Sequence, residues 1–133
     1  MFDSIDISTS GLIAQRIRMN TVAMNIASSE LVYDASEGGP YKRRAVVFAE
    51  GLNDSDRSGR GVHVAEIEKQ AAYRYVFDES NPFADADGYV KMPNIDPIVE
   101  MVNGMEAQRA YEANIAAIDL SKAILNSSLR LLA

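Results

Sequence analysis

From Pro97 to Ala133 the sequence has no further proline and a single glycine, Gly104, so nothing in that stretch forces a helix to stop. Asp96 offers a side-chain N-cap, Pro97 takes the first helical position, and Glu100 lies in the early turns, where the helix dipole favours a carboxylate. At about 1.5 Å per residue such a helix is about 55 Å long. A compact domain of 133 residues has a radius of gyration of only about 14 Å. The helix therefore outreaches any globule the chain can build around it. Two apolar lines run along it, one through Tyr111, Ile115, Ile118, Leu125, Leu129 and Leu132, the other through Ala110, Ala113, Ala117, Leu120, Ile124 and Leu131. One partner helix cannot cover both.

The N-terminal segment repeats the theme. Ile5, Leu12, Met19 and Ile26 recur every seven residues, and Ile13, Ile17, Val22, Ala23 and Met24 widen the stripe, which reads as a helix over Ile5–Ile26. Between the ends lies most of the charge, with most of the glycine and the aromatics. Tyr41–Ala49, Gly61–Glu68 and Ala72–Phe77 are rich in β-branched and aromatic residues and read as two or three short strands, with residues 51–61 as a long flexible hairpin loop. The expected fold is mainly α: long N- and C-terminal helices paired as a coiled coil, with a small β-hairpin or extended insertion between them. The expected division is 1–30, 31–94 and 95–133.

The chemistry available to the chain is narrow. A formal charge of -6 and a pI near 4.7 give no field that attracts nucleic acid. The absence of cysteine removes thiolate metal sites and thiol nucleophiles, and there is one histidine. Asp3 and Asp6 stand where a secretory signal carries positive charge, and no apolar run is long enough to insert in a membrane. Asp85, Asp87 and Gly88 imitate part of a calcium loop, but with Gly88 at the sixth position Phe83 and Asn94 fall where the first aspartate and the bidentate glutamate belong. A turn is the better reading. His63 and Glu66, three apart in a strand, are expected on opposite faces, and Lys42, Arg43 and Arg44 are too few to form a nucleic-acid patch in an acidic chain. Gly38 and Gly39 lack a phosphate-loop context and read as a turn. Met19, Met24, Met101 and Met105 suit packing, and Arg109 with Glu106 or Glu112 suits surface pairing on one helix. No catalytic residue, metal ligand or cofactor site emerges.

Five segments together resemble the flagellar basal-body rod proteins. Asp6–Ser28 is similar to their N-terminal helix, which ends in Asn-Asn-Ile-Ala-Asn where this chain has Met24-Asn25-Ile26-Ala27-Ser28. Gly38–Phe48 and Gly61–Ile67 resemble the extended pieces that follow. Asp85–Asn94 (DADGYVKMPN) resembles the proximal-rod branch in particular, and Glu100–Asn114 (EMVNGMEAQRAYEAN) resembles the family's C-terminal helix signature. The resemblance spans nearly the whole chain. It implies a structural, non-enzymatic subunit of the proximal rod, the drive shaft between the inner-membrane ring and the distal rod. It further implies export through the flagellar type III apparatus without a cleaved signal, and assembly in the periplasm. The implied partners are copies of itself, other rod proteins, the membrane-ring protein and the export-gate junction, with neither nucleic acid nor direct membrane insertion.

The residues themselves also point to assembly, since apolar stripes left over after two helices pair can bury against neighbouring subunits. The candidate interface residues are Ile5, Leu12, Met19, Ile26, Met101, Arg109, Tyr111, Glu112, Ile115, Ile118, Leu125, Leu129 and Leu132. Of these, Leu12, Met19, Ile115, Ile118 and Leu125 are expected in the inter-helix core. A non-polymerising helical adaptor that binds a partner coiled coil is the alternative the same heptads permit.

Overall fold

The computed structural model describes residues 2–33, 38–51 and 60–132. Two helices flank four strands in the order α1 (Phe2–Ala27), β1 (Arg43–Glu50), β2 (Val62–Gln70), β3 (Tyr73–Phe77), β4 (Tyr89–Pro93) and α2 (Pro97–Leu132). The start of α2 is where its signals put it. Asp96 Oδ1 accepts the Ile98 N–H at 2.9 Å, and the Asp96 carbonyl receives the first helical bond from Glu100 N at 3.0 Å. The helix then continues through Gly104. Serines close α1: Ser29 Oγ donates to the Ile26 carbonyl at 2.9 Å and Ser28 N to the Met24 carbonyl at 3.0 Å, so two carbonyls of the last turns have partners.

The β insertion is larger than the sequence suggests. β1 pairs antiparallel with β2 and β3 with β4, giving two separate two-stranded sheets. In the first, Val47 faces Glu66 but Phe48 faces Val64, which leaves Ala65 as the extra residue of a bulge. That bulge corrects the strand arithmetic: His63, opposite Ala49, and Glu66, opposite Val47, lie on the same face of the ribbon. Gly51 N donates to the Gly61 carbonyl at 3.1 Å across the ribbon's end. Residues 52–59 of the expected hairpin loop lie outside the described residues.

β4 is the strand the sequence concealed, because it follows a strong turn signal directly. Asp85 Oδ1 accepts from Asp87 N at 3.0 Å and from Tyr89 N at 2.8 Å, a side chain bonding its own backbone. Gly88 has φ of 81°. A Cβ there would stand 2.7 Å from Glu79 Cγ and 2.9 Å from Phe77 Cε2, so both the dihedral and the space require glycine. The carboxylates of this run organise a turn, and no group of three or more metal-ligating side chains occurs among the described residues. Pro93 is tolerated because it ends an edge strand.

The described residues bury seven apolar side chains, Ala14, Val22, Tyr41, Val90, Pro93, Ile95 and Ala107, and nearly as many polar or charged ones, Ser8, Ser10, Thr21, Asn25, Ser29 and Glu100. Soluble domains ordinarily bury far more apolar than polar side chains. The accessible surface, 8799 Å², also exceeds the about 6,900 Å² expected of a compact monomer of this mass. No helix among the described residues is long and apolar enough to cross a membrane.

Candidate assembly surface

The two helices pack antiparallel through a seam of small and polar residues. Ser4 Oγ meets Ser121 Oγ at 3.3 Å, a Cβ on Gly11 would lie 2.8 Å from Asn114 Nδ2, and Arg18 pairs with Glu106 at 3.4 Å. Further along, Gly104 faces Val22 and Asn25 meets Glu100. Positions 4, 11, 18 and 25 of α1 thus oppose 121, 114, 106 and 100 of α2. On α1 this is a seven-residue repeat, one residue ahead of Ile5, Leu12, Met19 and Ile26. Small and polar residues thus mark the closest approach of the two helices, with Val22 and Ala107 buried among them.

Small residues win that position because they let the backbones approach. Their hydroxyls and amides are satisfied within their own helices: Ser8 Oγ donates to the Ser4 carbonyl at 2.9 Å, Asn114 Nδ2 to Ala110 at 2.9 Å and Ser121 Oγ to Ala117 at 2.8 Å. Back-bonded in this way, a serine buries no unpaired donor and occupies little more room than alanine.

At one end of the seam a buried polar cluster joins three elements. Asn25, only 1% exposed, uses both amide hydrogens and both lone pairs of its carbonyl oxygen. Nδ2 donates to the Arg44 carbonyl at 2.8 Å and to Glu100 Oε2 at 2.9 Å. Oδ1 accepts from Arg44 N at 2.9 Å and Tyr41 Oη at 3.1 Å. Glu100, 2% exposed, takes a two-pronged bond on Oε1 from Arg43 Nε at 2.8 Å and Nη2 at 2.6 Å. Arg43 also donates to Gln70 Oε1 at 2.9 Å. The basic run 42–44 is thus partly structural: Arg43 neutralises a buried carboxylate, and the Arg44 guanidinium lies 5.3 Å from the centre of the Tyr41 ring.

Several large apolar side chains of α2 take no part in this contact. Val99, Val102, Leu120, Ile124 and Leu131 lie along one flank of α2 and all are exposed, Leu120 by 64% and Leu131 by 88%. Ser4 of α1 already reaches Ser121, so Lys122–Leu132 extends past Ser4 by about 16 Å and beyond the start of α1. Among the candidate interface residues, Ile5, Leu12, Met19, Ile26, Tyr111, Ile118 and Leu125 are half-buried. Met101, Arg109, Glu112, Ile115 and Leu129 are exposed, and the side chain of Leu132 lies outside the described residues. Leu12 and Tyr111 share a shallow groove beside the seam, and Ile115 is 40% exposed. The pairings weighed for Arg109 on its own helix are replaced: Glu106 bonds Arg18 of α1, and Glu112 accepts from Gln108 at 2.9 Å.

Comparison with known proteins gives consistent matches. A family model described as the C-terminal part of flagellar basal body rod FlgEFG proteins matches residues 86–131, which hold α2 almost entirely. The flagellar basal-body rod protein FlgC of Aquifex aeolicus is 46% identical over 124 residues, covering 93% of this chain and 91% of the relative. The FlgC proteins of Salmonella typhimurium and Bacillus subtilis are 42% and 34% identical, each alignment covering 98% of this chain and 97% of the relative.

Proposed function

Since the chain belongs to the FlgC family of flagellar basal-body rod proteins, we propose that it is a structural subunit of the proximal rod, polymerising through its terminal helices into the shaft that transmits torque. Membership of this family makes it a component of the flagellar basal body, assembled with other rod and basal-body proteins, and a structural part rather than an enzyme. Its neighbours in the proposed shaft are copies of itself, other rod proteins, the membrane-ring protein and the export-gate junction. The route is flagellar type III export without a cleaved signal, followed by assembly in the periplasm.

The observation that carries this reading is the row of large apolar side chains left exposed along α2 while small and polar residues take up much of its contact with α1. Serine, glycine, asparagine and glutamate occupy the contact between α1 and α2, while Leu120, Ile124 and Leu131 face outward. In a lone molecule that arrangement leaves apolar surface in water; between neighbouring helices it becomes the adhesive. Residues 1–30 and 95–133 act in this proposal as the polymerising core and 31–94 as a brace. Coiled-coil supercoiling of the helices completes on assembly, with Ile5, Leu12, Met19, Ile26, Ile115, Ile118 and Leu125 entering contacts between subunits.

A cell lacking the chain and supplied with it in trans regains complete basal bodies, counted by electron microscopy, and swims. Restored motility without incorporation of a tagged chain into purified basal bodies would overturn the proposal. It would favour an adaptor that acts elsewhere.

A further inference from the structure

The β1–β2 ribbon does not lie flush on α1. Between β2 and the helix a groove of about 400 Å³ remains open, its apolar wall built by Ile13, Ile17, Val62 and Val64. It is held open by a specific contact, since Val62 N donates to Ser10 Oγ at 3.0 Å while Ser10 donates to the Ile7 carbonyl at 2.6 Å. Ile13 follows the seam residue Gly11 by two positions, about 200° around the helix. The groove therefore opens away from α2. Asp6 stands at its end, beside the Arg60–Asp3 pair, and makes no ion pair of its own among the described residues.

The surface complementary to this groove is the free end of α2. Ile124, Leu129 and Leu131 are exposed there, and Arg130 beside them is likewise without an ion pair among the described residues. The chain's own α2 cannot turn back into the groove, because the helix is continuous to Leu132 and projects beyond α1. We propose that the groove between α1 and β2 receives the projecting end of α2 from a second copy of the chain, with Leu131 against the apolar wall and Arg130 paired to Asp6. The contact joins two different patches, so it repeats from copy to copy instead of closing a two-fold dimer. This inference rests on the rod-subunit reading and names one contact within it.

The chain contains no cysteine, which gives a clean background for crosslinking. Cells whose only copy carries Ile13→Cys and Leu131→Cys are oxidised, and their basal bodies are purified and run under non-reducing conditions. The expected result is a ladder of covalently linked copies, absent when Ile13→Cys is combined with Arg109→Cys on the outer side of α2. Asp6→Lys and Arg130→Glu, each added alone, lower the linked fraction by about threefold, and the two together restore it. Linked dimers in equal yield from the control pair, or none in cells that swim before oxidation, would overturn the groove contact. Failure of the unmodified chain to restore swimming would instead count against the rod reading.

Discussion

Asn25 and Glu100 meet where α1 ends and α2 begins, Asn25 Nδ2 donating to Glu100 Oε2 at 2.9 Å with both side chains almost wholly buried. The same asparagine grips the backbone of Arg44 from both sides, so one residue fixes the two helices and the first strand relative to one another. Asn25→Ala takes away a hydrogen bond from a buried carboxylate oxygen and from two part-buried backbone groups. Each such loss costs about 1–3 kcal/mol, so urea unfolding of the variant should show a stability loss of at least about 2 kcal/mol. A change below half of that would mean that water replaces the amide.

Arg43 and Glu100 form a pair in which the carboxylate is the more deeply buried partner. Arg43→Met strands that charge, and because Arg43 keeps 27% exposure the expected cost is about 2–4 kcal/mol, below the range for a fully enclosed pair. Arg43→Met combined with Glu100→Gln should recover part of the loss, since the stranded charge is then gone. A double variant less stable than Arg43→Met alone would show that the Asn25 bond to Glu100 outweighs the salt bridge.

Gly11 and Asn114 test the closeness of the seam. In a helix interior Gly→Ala normally gains about 1 kcal/mol, but a Cβ here would stand 2.8 Å from an Asn114 nitrogen that is bonded to Ala110. Gly11→Ala alone should therefore give no gain, whereas in an Asn114→Ala background it should stabilise by about 1 kcal/mol. Equal effects in both backgrounds, measured by thermal unfolding, would show that the two helices do not approach at this point.

Gly88 offers the contrasting case. Gly88→Ala forces a side chain into a left-handed conformation and against Phe77 and Glu79, at a cost of at least about 1–2 kcal/mol. The damage should be local. Amide exchange is expected to quicken across Tyr73–Phe77 and Tyr89–Pro93 and to stay unchanged in α1, because the second sheet is separate from the ribbon that packs on that helix. Uniform quickening along the chain would contradict this separation.

What the sequence revealed and what it hid follow from how local each signal is. The Asp96-Pro97 start and the proline-free run after it depend only on neighbouring residues, and α2 begins there. β4 escaped notice because its five residues come straight after the Asp85–Gly88 turn and end in Pro93. The contacts at Ser4, Gly11, Arg18 and Asn25 are hard to read from sequence because heptad signals stand out among large apolar side chains and not among small and polar ones. A repeat was present in the small and polar ones, at Ser4, Gly11, Arg18 and Asn25 and again at Ala107, Asn114, Ser121 and Ser128. The Asn25 cluster draws on α1, β1 and α2, and no window of sequence contains all three.

Leu120→Asp is the most direct test of the central claim, that α1 and α2 meet through polar and small residues so that apolar flanks remain for neighbouring subunits. The side chain is 64% exposed in the single molecule, so the account predicts a monomer whose urea midpoint moves by no more than about 0.5 kcal/mol in stability. The same variant should fail to build rods, seen as cells without complete basal bodies by electron microscopy. A strongly destabilised monomer, or normal basal bodies carrying the variant, would contradict it.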